Sequence, residues 1–250
     1  GAGARLGRLA PAVSLELPVL APFLSGTATY TTTLLAAALL LEGATAGAGP
    51  ADPAWRVDRG VIAEAIAWLP RVIAEADRFA RTLAGIVAGR GAAGVRLLAA
   101  GPHLATADYG AAKLVELTRV RVWADDMEEF AHRQFWSADP RELVVYLAPS
   151  AGLARRAAEA AEALAEMGFP TAALETAEHA VPAATHRLAL PAMPEWLALL
   201  VFPIALQLLG YHLARATDLD PNTRAHLKED TRRFRVSRRL TRRPLVGSGA

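Results

Sequence analysis

The chain has 250 residues, 27 Lys and Arg against 25 Asp and Glu, six His, no Cys and 53% apolar residues. Without cysteine, disulfides, thiolate catalysis and cysteine-ligated metals are excluded. The length allows one large domain or two small ones with a sizeable core, and the absence of cysteine fits a cytoplasmic protein.

In chain order, residues 12–17 alternate as a short strand, and a Thr-rich start opens an apolar helix over 27–41. Residues 43–53 are small, with Gly and Pro, and read as a loop. A helical pattern covers 54–84, broken near Pro70, and Gly91 and Gly94 mark a linker. The rhythm then becomes strand and helix in turn. Strands are expected at 95–100, 120–123, 143–147, 171–174 and 186–190, with helices at 106–117, 153–167 and 195–216. Near-continuous apolar strands between helices imply a parallel sheet covered on both faces, with ligands beyond the carboxyl ends of the strands, where Glu116, His132 and Ser150 are expected to fall. The apolar runs 34–41 and 196–209 fall short of the ~20 residues of a spanning helix, so buried helices and no membrane partner are expected. Prolines and Glu16 interrupt the first apolar stretch, which does not read as a signal peptide.

The net charge of +2 is a local matter, because seven arginines crowd 232–243. Such a tail suits an anionic surface, a solvated terminus or an arm on a neighbouring subunit. Nucleic acid is not the expected partner, since no aromatic-interleaved basic face supports the tail elsewhere.

The richest stretch runs from Gly110 through Lys113 and Glu116 to the acid-preceded His132. Lys113 and Glu116 share a helix face at a spacing of three, where an ammonium can tune a carboxylate, and where an ordinary surface ion pair is also common. A carboxylate can carry a proton between adjacent carbons through an enediol, an imidazole can open a sugar ring near neutral pH, and a cation can stabilise the enediolate. This chemistry needs no metal and no organic cofactor, and no His, Asp and Glu set has metal-ligand spacing.

Three segments in this order, Gly110-Ala-Ala-Lys-Leu-Val-Glu116, Glu128-Glu-Phe-Ala-His132 and Phe202-Pro-Ile-Ala-Leu-Gln-Leu-Leu-Gly-Tyr-His-Leu-Ala214, resemble the sugar isomerase (SIS) family. Within it, they are most similar to the second SIS half of the isomerase domain of glucosamine-6-phosphate synthases. The resemblance implies a three-layer αβα, flavodoxin-like parallel sheet preceded by an incomplete first SIS half. Residues 1–88 would be that remnant with connecting helices, 89–231 the second SIS domain and 232–250 a basic tail. It implies Glu116 as proton-transfer base, His132 as ring-opening acid–base from a neighbouring subunit, and Lys228 as a lid. Lys113, Ser150 and Thr27 would contact a sugar phosphate, and a homodimer is implied.

The chain departs from the family in two places. Arg133-Gln134 follow the histidine where Gly-Pro is usual, and the Ser/Thr-rich phosphate loop of a first half is not found. The turn Pro149-Ser150-Ala-Gly152 is its poorer equivalent, and residues preceding Gly1 are expected to supply the loop. The expected function is a phosphosugar isomerase or an aminosugar-phosphate deaminase-like enzyme. The alternatives are a non-catalytic sugar-phosphate-binding regulator and an arginine-tailed nucleic-acid binder.

Overall fold

A computed structural model describes residues 27–45, 56–91, 93–223 and 225–241. The expected strand over 12–17 and the last part of the basic tail lie outside the described residues.

Two helices precede the sheet, α1 (Thr27–Thr45) and α2 (Arg59–Gly89). Asp58 caps α2, its Oδ1 accepting from the backbone N–H of Gly60 at 2.6 Å. Ala65, Val72, Ala76, Ala80, Leu83 and Val87 form its buried stripe, at the spacing of one helical face. The helix does not stop at Pro70, as the sequence suggested. Pro70 and Ile66, whose carbonyl loses its partner, both lie on the exposed face, where water can take that bond.

Five parallel strands follow: β1 (Val95–Ala99), β2 (Val122–Asp126), β3 (Leu143–Ala148), β4 (Thr171–Thr176) and β5 (His186–Leu190). Their spatial order is β2-β1-β3-β4-β5, the flavodoxin-like winding. Every residue of β1, β3 and β4 is buried, as in a sheet covered on both faces. The order reverses between β1 and β3, both of which pair in parallel register from Val95 opposite Leu143.

Alternate side chains divide the core. Leu97, Val145, Leu147, Leu174 and Leu190 face α2, α3 (His103–Leu117) and α6 (Glu195–Ala216). Leu98, Val144, Tyr146 and Ala173 face α4 (Met127–His132) and α5 (Ala151–Glu166). Thus α2 shares one core with the sheet. α6 is long and apolar enough to cross a membrane by length and composition, but 61% of its apolar window is buried inside the protein. It crosses α3 closely at glycines: a Cβ on Gly110 would stand 2.5 Å from Leu206 Cδ1, and one on Gly210 would stand 3.1 Å from Leu117 Cδ1.

The first strand is less apolar than it reads. Arg96 lies buried in β1, its guanidinium bonded to Glu142 at 2.9 Å and to Asp125, and stacked over the rings of Trp123 and Phe130. Two carboxylates and two aromatic faces replace the water this charge has lost.

Several boundaries differ from the sequence reading. The second strand starts two residues later, at Val122, and α3 starts earlier, at His103. The segment after β2 is a helix because Asp126 caps it, accepting from the N–H of Glu128 at 2.9 Å. Much of the arginine-rich tail is helix α8 (Thr231–Thr241), preceded by the short α7 (Ala225–Glu229).

Candidate functional site

In each strand–helix unit the helix runs antiparallel to its strand. α3 therefore starts with His103 at the carboxyl edge of the sheet and ends beside Leu117 at the amino edge. This puts Glu116 in the last turn of α3, at the amino edge. The expectation that it lies beyond the carboxyl ends of the strands is corrected by that direction of travel.

Lys113 Nζ donates to Glu116 Oε2 at 2.7 Å, and both side chains are largely covered, at 15% and 24% exposure. Lys113 also lies 5.6 Å from the ring centre of Tyr109, on the same helix. Tyr109 stacks on Tyr30 of α1 with ring centres 3.8 Å apart, and its hydroxyl accepts from Gln207 Nε2 at 3.0 Å. Burial holds both phenols above their usual pKa, so they stay neutral hydrogen-bonding groups. Thr29, Tyr30, Thr33, Leu34, Tyr109 and Lys113 line a groove of about 520 Å³ between α1 and α3. Thr27 opens α1, but its side chain is outside the described residues.

Lys228 lies exposed on α7, and its neighbour Glu229 approaches Arg119 at 3.7 Å. Arg119 follows α3 by two residues, so α7 lies at the amino edge as well. Lys113, Glu116 and Lys228 thus share one end of the sheet.

His132 and Ser150 occupy the other end. His132 closes α4 beyond β2, 71% exposed, with Nε2 3.1 Å from Glu128 Oε1. Glu128 is in turn bonded by Arg156 at 2.8 Å. His132 and Arg156 hold the Glu128 carboxyl below its ordinary pKa. Ser150 is the N-cap residue of α5 beyond β3, but its hydroxyl makes no capping bond. The five-residue β2 alone separates the two groups by roughly 16 Å at the ~3.3 Å rise per strand residue. One copy of the chain does not bring His132 to Glu116.

The sequence reading passed over a buried pair at the carboxyl edge. His103 is fully buried at the start of α3, with neither ring nitrogen hydrogen-bonded, and its Nε2 is 3.5 Å from Glu195 Oε1 at the start of α6. Burial depresses its pKa to about 4 and raises that of Glu195. The only signal in the sequence is a histidine directly after the Gly101-Pro102 turn that ends a strand.

The parallel 2-1-3-4-5 sheet covered by helices on both faces is the fold that the resemblance to sugar isomerase (SIS) domains implies, and solved structures share it. The structure is similar to glucosamine-6-phosphate deaminase from Thermotoga maritima, with a TM-score of 0.65 and 16% identity over 88% of this chain and 61% of that one. It is also similar to the C-terminal domain of glucosamine-fructose-6-phosphate aminotransferase from Francisella tularensis, with a TM-score of 0.51 and 19% identity over 66% of this chain and 48% of that one. The chain therefore spans from about half to three fifths of the length of these structures. No protein-family model and no curated protein matches it.

Proposed function

We propose that the protein binds a sugar phosphate and interconverts its aldose and ketose forms by proton transfer at Glu116. The observation that carries this reading is the Lys113–Glu116 pair, set at 2.7 Å beside an aromatic-walled groove. A carboxylate in this position can take a proton from one carbon of an open-chain sugar and return it to the next. The Lys113 ammonium can stabilise the enediolate formed between the two steps. Lys228, at the same edge, can close over the ligand.

His132 and Ser150 take part in this scheme only through another copy of the chain or a segment outside the described residues. A homodimer in which His132 reaches the partner's Glu116 is accordingly part of the proposal. The test is turnover of fructose 6-phosphate or glucosamine 6-phosphate by the full chain. General acid–base catalysis contributes ~10²–10⁴-fold, so Glu116→Gln is expected to slow turnover by about that factor. Undiminished turnover in Glu116→Gln removes the residue from the mechanism.

A second reading, a non-catalytic sugar-phosphate-binding regulator, is favoured by one observation: His132 is spent on the exposed Glu128–Arg156 cluster at the wrong edge. Saturable binding of a sugar phosphate without any proton exchange at its carbons would select that reading.

A further inference from the structure

We propose that a cleft at the amino edge of the sheet, separate from the α1–α3 groove, binds a phosphate-bearing small molecule through Arg119, Arg121 and Arg141. The cleft holds about 460 Å³ and is walled by these three arginines with Val120, Thr217 and Leu219. It shares no lining residue with the groove beside Lys113.

The three guanidiniums come from two different connections. Arg119 and Arg121 lie between α3 and β2, and Arg141 lies just ahead of β3. β2 and β3 flank β1, so both connections open at the same edge. Their charges are only partly answered. Arg119 meets Glu229 at 3.7 Å, an exposed and long contact. Arg141 gives Nε and Nη2 to Asp139, which holds that carboxyl down to about 2, and leaves Nη1 uncommitted among the described residues. Arg121 has no ion pair among the described residues. Asp218 sits between Thr217 and Leu219 in the chain but is not part of the wall.

A guanidinium presents a planar pair of N–H donors that matches two phosphate oxygens, and it is always charged. Three of them around one cleft exceed what a single carboxylate can use and suit a group carrying two or more negative charges. The volume falls within the ~300–1,000 Å³ of small-molecule pockets, enough for a phosphorylated sugar or a mononucleotide. A concave cleft with Leu219 and Val120 in its wall favours such a compact ligand over a nucleic-acid duplex, which needs a long track of cations.

The test is calorimetric titration of the full chain with inorganic phosphate, pyrophosphate and ADP, none of which is an aldose or ketose substrate of the groove. At least one of these is expected to bind at one site per chain. A charged hydrogen bond is worth ~1.5–3 kcal/mol, so Arg119→Gln and Arg121→Gln should each weaken binding about tenfold or more. Arg133→Gln, an exposed arginine on the far edge, should change nothing, and circular dichroism should show all variants folded. Glu116→Gln should leave this binding intact, which separates the cleft from the proton-transfer site. The proposal is overturned if none of the three compounds binds, if Arg121→Gln binds as well as the native chain, or if a DNA duplex displaces the phosphate compound.

Discussion

Lys113 and Glu116 meet at 2.7 Å across a single turn of α3, on the face that looks toward α1. As a stability element this pair is modest, because partly exposed ion pairs contribute ~0–1 kcal/mol. Lys113→Met should therefore melt within a few degrees of the native chain. Its turnover of a sugar phosphate should nevertheless fall at least tenfold, since the cation facing the developing enediolate is gone. Melting curves and kcat measured together check this, and a variant of native kcat would assign Lys113 to structure alone.

The separation of His132 from Glu116 gives a test that needs no crystal. If each site draws its histidine from the partner, His132→Ala and Glu116→Gln are each nearly inactive alone. Mixed under conditions that exchange subunits, they should regain activity, because one site per mixed dimer has both groups. Activity that stays absent after verified exchange contradicts a shared site.

His103 sets an acid limit on stability. The unfolded chain takes up a proton at the ordinary imidazole pKa of 6.5, whereas the folded chain resists it until about 4. Folding stability should therefore fall as the pH drops from about 6.5 to about 4, by about 3 kcal/mol at most, and level off below. Glu195, whose pKa is raised by burial, takes up its proton earlier when folded and offsets part of that loss, while the nearby charge of His179 works against its shift. Urea unfolding across this range is the measurement. His103→Phe should flatten the decline, and an unchanged slope in that variant would assign the acid sensitivity to other groups.

Arg96 holds a buried carboxylate, Glu142, and a partly buried one, Asp125, at once. Removing one partner of a buried ion pair costs ~3–5 kcal/mol, because the remaining charges stay buried and uncompensated. Arg96→Ala should lower Tm by roughly 10 °C or more for a chain of this size. Arg96→Met combined with Glu142→Gln and Asp125→Asn should recover most of that loss. A single variant as stable as the native chain would show that water already reaches the cluster.

That the sheet is parallel and covered on both faces was readable because most of its strands are short apolar runs between helices, whereas its flavodoxin-like winding was implied by the family resemblance. α6 was legible from Glu195 to Ala216 because the largely apolar run at 196–209 marks a helix buried on most sides. The edge of the sheet at which each side chain falls was harder to read. Glu116 follows the first strand in sequence, but fifteen residues of helix carry the chain ~22 Å back toward the amino edge. Arg96 was hidden because the partners that make its burial tolerable, Asp125 and Glu142, are 29 and 46 residues away. The arginines of the amino-edge cleft were unrecognisable as a group for the same reason. Arg141 joins Arg119 and Arg121 only when β3 is laid beside β1.

The most direct measurement is proton exchange at the sugar itself. Fructose 6-phosphate or glucosamine 6-phosphate is incubated with the full chain in deuterated water and followed by proton NMR. Proton transfer at Glu116 should place deuterium on the carbon next to the carbonyl at a rate that falls ~10²–10⁴-fold in Glu116→Gln. Saturable binding with no deuterium incorporated, or equal incorporation by both proteins, would contradict the role assigned to this carboxylate.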